Sequence, residues 1–253
     1  SPNKMVGGKV NVFITGENNW HKFETWPPSG SRPYKLYLTS ENGLSQNAAS
    51  AKAAGSDSYI SDPAHPVPYR SEIGWNRTRE YMLDDQRFTS QRSDVLTYQS
   101  DILEEDVTAI GPVIADLFVK LSTTDADFVV KIIDVFPDDF KEYASDKVPM
   151  GGYQMLVRGE IMRGRYRNSF SDPEGFKPGK DDRVKFNLPD IAHNFRKGHR
   201  IMVQIQSSWF PLFDRNPQQF VNIYTCKQSD FVKSKVEVLR DKLHPSSIEF
   251  LIK

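Results

Sequence analysis

Residues 113–136 read Val-Ile-Ala-Asp-Leu-Phe-Val-Lys-Leu-Ser-Thr-Thr-Asp-Ala-Asp-Phe-Val-Val-Lys-Ile-Ile-Asp-Val-Phe. In the first part, Val113, Ala115, Leu117, Val119 and Leu121 recur at every second position, with Asp116, Phe118 and Lys120 between them. Successive side chains of a strand point to opposite sides, so a period of two marks a strand with one face in a core. The part from Phe128 to Phe136 is dense in Val and Ile and runs into the turn residues Pro137-Asp138-Asp139. Outward from this stretch the pattern repeats. Asp94–Tyr98, Tyr153–Arg167, Arg183–Leu188, Ile201–Ser207 and Ile248–Ile252 each read as a strand bounded by turn chemistry. Many short strands separated by turns predict an all-β sandwich or barrel, with Leu117, Val119, Val130, Ile132, Val203 and Ile205 in the core. One short helix is expected, Pro189–Phe195, entered at Leu188-Pro189-Asp190 and stopped at Gly198.

Towards the N-terminus the pattern changes. Val10, Val12 and Ile14 alternate with Asn11 and Phe13, which predicts a strand, and Tyr34–Leu38 predicts a second. Residues 42–70 are rich in Ala, Ser, Asn and Gly and then carry Pro63, Pro66 and Pro68. Such a stretch has little apolar surface to bury, and its prolines interrupt ladders and helices. The expected layout is therefore a first unit over 1–40, a linker over 41–70 and the sandwich over 71–253.

Composition agrees. Aromatics at 12% with 16 Pro and 15 Gly suit strands and turns better than a helical bundle. Lys+Arg and Asp+Glu both number 33, so no long-range positive field favours nucleic acid or an anionic membrane. No apolar run is long enough for a transmembrane helix, and residues 1–8 lack the apolar core of a signal peptide. Cys226 is the only cysteine, which leaves compartment open between the cytoplasm and an oxidising space such as the periplasm or medium.

Catalytic chemistry is sparse. A serine nucleophile on an α/β-hydrolase sheet sits in a strained Gly-x-Ser-x-Gly turn, and no such run occurs. Ser207-Ser208 has no base beside it in sequence. His21, His65, His193, His199 and His244 lack the i,i+4 spacing of a helical zinc pair, and the acidic pairs Asp84-Asp85, Asp138-Asp139 and Asp181-Asp182 read as turn residues. No metal or cofactor is expected. Arg163, Arg165 and Arg167 stand at strand spacing, so three cations share one face. They repel one another unless carboxylates pair with them, so the alternatives are a solvated outer face and, preferred here, a partly buried domain interface, for which Trp20 and Trp26 are further candidates.

Several of these runs carry a resemblance. Lys197-Gly198-His199-Arg200-Ile201, Ser207-Ser208-Trp209-Phe210-Pro211 and Asp214-Arg215-Asn216-Pro217 resemble the C-terminal domain shared by X-Pro dipeptidyl-peptidases, cocaine esterases and α-amino-acid ester hydrolases. Thr124-Asp125-Ala126-Asp127-Phe128, Lys131 through Asp138, Gly164-Arg165-Tyr166-Arg167 and Asp94–Tyr98 resemble it in the same order. Gly16-Glu17-Asn18-Asn19-Trp20, Ser61 through Pro68 and Gln206 through Pro211 look most like the α-amino-acid ester hydrolases and glutaryl-cephalosporin acylases.

The resemblance implies a jelly-roll β-sandwich of the galactose-binding-domain-like kind, with 1–40 as the last piece of an α/β-hydrolase domain. It implies a bacterial serine hydrolase as parent, cleaving esters or amides through an acyl-enzyme, whose hydrolase and cap domains are the expected partners. No residue of this chain matches the family's catalytic triad, so the chain is expected to be inactive alone. In the family, the loop just before an Asp-Gln-Arg motif borders the active-site mouth. Asp85-Gln86-Arg87 marks that motif here, which makes Trp75, Asn76, Tyr81 and Met82 candidates for the mouth. A competing reading is a carbohydrate-binding jelly roll with Trp20, Trp26, Trp75 or Trp209 as a sugar platform. An unpartnered strand at Val10–Ile14 invites pairing with a second copy, so homo-oligomerisation or a mobile N-terminal segment is expected.

Overall fold

The computed structural model describes residues 9–48, 55–72, 74, 78–141 and 148–253. Thirteen strands carry the fold: β1 Val10–Ile14, β2 Asn19–Phe23, β3 Arg32–Leu38, β4 Leu44–Ser45, β5 Ser56–Ser61, β6 Leu96–Gln99, β7 Val107–Leu121, β8 Asp127–Val135, β9 Gln154–Arg163, β10 Asp181–Phe195, β11 Arg200–Gln206, β12 Ser234–Leu239 and β13 Ser247–Ile252. The only α-helix among the described residues is the single turn Arg87–Ser90, α1.

Two antiparallel sheets face each other. The larger has seven strands and is built on β7. β10 lines one edge of β7 along nearly its whole length. On the other edge β13 takes Ala109–Asp116 and β12 takes Phe118–Leu121. β3 and β4 extend the sheet beyond β13, and β5 extends it beyond β12. The smaller sheet runs β6-β11-β8-β9. Between the sheets lies one core in which Leu117, Val119, Val130, Ile132, Val203 and Ile205 are all fully buried, as their alternation predicts. Each such side chain contributes roughly 1.5–3 kcal/mol on burial.

Strand β8 shows no clean alternation because it is buried on both faces. Phe128, Val130 and Ile132 face the core. Val129 belongs to a second apolar cluster with Tyr69 and Trp209, on the outer face of the smaller sheet.

Four expectations change. The helix expected over Pro189–Phe195 is strand, the second half of β10. Ile191, His193 and Phe195 are all buried, a period of two, and they pair with Gly111, Ala109 and Val107 of β7. Pro189 sits where the register shifts between Leu188 and Ile191, a bulge at which a proline is tolerated. The long strand expected over Tyr153–Arg167 ends at Arg163, and Gly164–Tyr166 forms a 3-10 turn. Arg163, Arg165 and Arg167 therefore do not share one strand face. The sandwich also draws strands from both sides of the expected boundaries. β3 pairs with the C-terminal β13, and β5, inside the expected linker, pairs with β12. Finally, Val10–Ile14 does not stand alone: it pairs with β2 in a hairpin.

That hairpin is docked on β10. Thr15 N–H donates to Ala192 O at 3.1 Å and Asn194 N–H donates to Thr15 O at 2.8 Å. Gly16 holds φ +83°, and a Cβ there would come within 2.1 Å of Asn194 O. The position requires glycine twice over, for the left-handed backbone and for the close approach.

Candidate functional site

The outer face of the smaller sheet carries a lid. Residues 67–72 and 78–90 cross it, tied down by hydrogen bonds to the corner after β11. Tyr69 N–H donates to Phe210 O at 2.9 Å, Phe210 N–H donates to Val67 O at 3.0 Å, and Val67 N–H donates to Ser208 Oγ at 2.7 Å. Ser207 Oγ lies 2.7 Å from Tyr59 OH. Both serines thus serve the architecture, and among the described residues no base is hydrogen-bonded to either.

Aromatic rings stack across this surface. Tyr69 meets Tyr81 at 5.4 Å between ring centres, Tyr81 meets Trp209 edge to face at 5.8 Å, and Trp209 stacks on Phe213 at 6.1 Å. Such pairs prefer edge-to-face or offset geometry and add about 0.5–1.5 kcal/mol each beyond area burial. Beyond Tyr81 the chain presents Met82, 46% exposed, and Leu83, 72% exposed. Of the four mouth candidates, Tyr81 and Met82 therefore lie together on the lid; Trp75 and Asn76 fall outside the described residues.

The Asp85-Gln86-Arg87 run locks the lid. Asp85 Oδ1 accepts from the amides of Arg87 at 3.1 Å and Gln154 at 3.2 Å, and Arg87 Nε donates to Asp85 Oδ2 at 2.6 Å. Gln86 is buried, with its N–H on Gln154 O at 2.9 Å and its own carbonyl accepting from Thr89 Oγ1 at 2.9 Å. Tyr153 OH donates to Leu83 O.

The interface candidates divide. Arg163 grips Asp127 through Nε at 3.1 Å and Nη2 at 3.2 Å, and Arg165 Nε donates to Asp125 Oδ2 at 2.7 Å. Asn216 Nδ2 bridges both carboxylates, 3.1 Å from Asp125 and 2.8 Å from Asp127. Arg167, its side chain 2% exposed, reaches Asp182 at 2.9 Å and lies 3.9 Å over the Phe176 ring. All three arginines find carboxylates within this chain, so pairing across a domain boundary is not needed to explain them. Trp26 donates its indole N–H to Asp190, and Trp20, 66% exposed, meets Phe13 edge to face at 5.5 Å. Trp209 is only 5% exposed, which removes it as a sugar platform.

A polar chain that the sequence reading missed joins the hairpin to the sandwich. Thr15 Oγ1 lies 2.8 Å from His193 Nδ1, and His193 Nε2 lies 3.1 Å from Asp134 Oδ2. His199 Nδ1 takes the other carboxylate oxygen at 2.8 Å. Burial raises the carboxyl pKa of Asp134, but hydrogen bonds from the two imidazoles outweigh it and hold the group below its ordinary value. The Thr15 hydroxyl also reaches Ala192 O at 3.1 Å, so it can donate there or to His193. Hydroxyl, imidazole and carboxylate here fasten β1 to β10 and β8; the residues lie up to 178 positions apart, with no local pattern to reveal them. The remaining histidines each find a single carboxylate nearby in sequence, His21 on Glu17, His65 on Asp62 and His244 chiefly on Asp241. Among the described residues no group of three or more His, Cys, Asp or Glu could hold a metal ion.

Residues 6–249 match the model of the X-Pro dipeptidyl-peptidase C-terminal non-catalytic domain. The chain belongs to this family. It is 31% identical over 247 residues to the cocaine esterase of Rhodococcus sp. (strain MB1 Bresler), covering 95% of this chain and 41% of that protein. Among solved structures, an aminopeptidase from a marine sediment archaeon, Thaumarchaeota archaeon, superposes with a TM-score of 0.89 at 40% identity, over 97% of this chain and 40% of that one. An α-amino acid ester hydrolase superposes equally well, TM-score 0.89 at 38% identity, over 96% of this chain and 41% of that one. The chain thus corresponds to about two fifths of the length of these relatives. The family assignment also accounts for the jelly-roll sandwich and the lack of a nucleophile elbow.

Proposed function

We propose that this domain serves a serine acyl hydrolase in which it walls one side of the active-site mouth and stabilises the assembled enzyme. The reaction of that enzyme is attack by a serine on an ester or amide carbonyl, formation of an acyl-enzyme and its hydrolysis. The observation that carries the reading is the identity of 40% to an aminopeptidase and 38% to an α-amino acid ester hydrolase, along 97% and 96% of the chain, which makes α-aminoacyl amides and esters the favoured substrate class. The lid supports the mouth role: an exposed Met82–Leu83 rim backed by Tyr81 offers apolar area to an acyl side chain.

The test uses the full-length hydrolase. Tyr81→Ala with Met82→Ala is expected to raise KM for an α-amino acid ester three- to tenfold and leave kcat nearly unchanged, the mark of lost uniform binding. An unchanged KM removes the mouth role. The chain by itself is expected to leave p-nitrophenyl esters, Xaa-Pro anilides and β-lactam side-chain esters intact. Turnover that survives repurification and comes with one serine labelled by a fluorophosphonate would show a nucleophile in the chain itself.

A further inference from the structure

Lys131 is a lysine in the middle of β8 with 0% exposure. Its Nζ donates to Gln86 Oε1 at 3.0 Å and lies 5.5 Å from the ring centre of Trp209 and 5.9 Å from that of Phe88. No carboxylate pairs with it among the described residues. Its strand neighbours are Gln204 on β11 and Gly159 on β9, where a Cβ would meet both Trp209 and the Lys131 stem. Arg158 and Glu160 flank Gly159 and point to the opposite face of β9. Within 81–90 the charged groups are engaged elsewhere: Asp85 with Arg87, and Asp84 with Ser71. Tyr153 is bonded to Leu83 O.

Both ends of the exposed rim lead back to this amine. On one side Lys131 fixes Gln86, whose Nε2 donates to Asp84 O at 2.8 Å and whose carbonyl receives the amides of Thr89 at 3.0 Å and Ser90 at 3.1 Å. On the other side it sits against Trp209, which holds Tyr81. Met82 and Leu83 lie between these two supports.

We infer that Lys131 is a positioning residue for the lid segment Tyr81–Ser90, holding it closed as a neutral hydrogen-bond donor to Gln86 and loosening it when its amine takes up a proton. An ammonium without a counter-ion in a closed, uncharged cage is disfavoured by desolvation, and burial lowers this amine to about 7 from 10.5. When the lid lifts, water reaches the amine and its ordinary basicity returns. The closed form therefore binds the proton more weakly than the open form. Closure is strongest above the open-state pKa, weakens as pH falls towards 7, and levels off below it. The consequence for substrate, a rim that yields at lower pH, rests on the mouth reading above; the coupling of Lys131 to lid order does not.

Amide hydrogen exchange of this chain tests it without substrate. The amides of Gln86, Thr89 and Ser90 are the probes, corrected for intrinsic rates and compared with core amides of β7 and β11. In the wild type the lid amides are expected to exchange faster than the core, with an opening constant that rises about tenfold per unit as pH falls from 9 to 7.5. Lys131→Met is expected to abolish this slope. Gln86→Leu keeps the amine, so the slope should persist while opening rises about tenfold at every pH. Equal slopes in wild type and Lys131→Met overturn the inference. So does exchange of lid and core amides at the same rate, which would place the effect in global unfolding. An unchanged KM for the rim variants would instead remove the mouth reading and leave these results untouched.

Discussion

The two faces of β8 make a comparison within one strand. Phe128, Val130 and Ile132 point into a core of aliphatic and aromatic side chains shared by both sheets. Val129 and Lys131 point outward, under Tyr69, Tyr81, Gln86 and Phe88 of the lid and Trp209 of the corner after β11. Both faces are equally dry, but only the inner one is made from groups that lose nothing by being dry. Hydrocarbon burial is insensitive to pH and tolerates little movement, because close packing transmits any misfit. A face that holds an amine, an amide and stacked rings is conditional. Its stability depends on partners that must stay paired and on a proton. The difference suggests a division of labour: the inner face specifies the sandwich, and the outer face carries a surface that can respond.

The largest expected effect breaks the inner face. Ile205→Ala on β11 removes a fully buried side chain from the shared core and is expected to cost roughly 2–5 kcal/mol by denaturant unfolding at any pH from 6 to 10. A neutral result would mean that the inner face is not the close-packed core its burial indicates.

That face was also the legible one. The alternation from Val113 to Leu121 is periodic over nine residues, and its tertiary role follows from the pattern alone. β5 escaped because Ser56–Ser61 is held largely by polar side chains: Tyr98 OH and Arg240 on Asp57, and Gln218 on Ser61. The reading of Pro189–Phe195 as helix rested on entry and exit residues that serve a bulge and a turn equally well. Among the candidates, Tyr81 and Met82 stand out in the sequence only by their nearness to Asp85-Gln86-Arg87, and their role at a mouth is a proposal. Thr15, His193 and Asp134 meet only through the fold. Lys131 did leave a signal, a charge inside Val129-Val130-Lys131-Ile132-Ile133, where burial on both faces forbids a solvated side chain.

A second prediction sharpens the contrast on the outer face, because its sign reverses with pH. The native amine of Lys131 is lowered to about 7 from 10.5, so the unfolded chain binds its proton more tightly. Below pH 7 both states are protonated and the native state bears the full cost, at most roughly 5 kcal/mol, which the Phe88 and Trp209 ring faces reduce. Between 7 and 10.5 the cost shrinks, and above 10.5 it is gone. Lys131→Met removes the cost and also strands Gln86 Oε1, a loss of about 1–3 kcal/mol. The variant should therefore be about 1–3 kcal/mol more stable than wild type at pH 6 and less stable by a similar amount near pH 10. A difference of constant sign and size across that range would mean that the two faces do not differ in this way.

The smallest expected effect lies where the inner face of β8 ends in a charge. Asp134 follows Ile132 on that face and is the first residue of it to carry one. It is tolerated because His193 and His199 cover both its oxygens, and Thr15 covers the far side of His193. Thr15→Val keeps the shape and both backbone bonds to β10 but removes the hydroxyl, leaving Nδ1 of a buried imidazole without its partner. The loss should be about 1 kcal/mol, with faster exchange of the Asn194 amide, which closes the junction on Thr15 O. Thr15→Ser restores the oxygen and should behave like wild type. If valine and serine are equally stable, the hairpin is held by its backbone bonds and by Gly16 alone. The polar end of the face would then be a bystander at the junction.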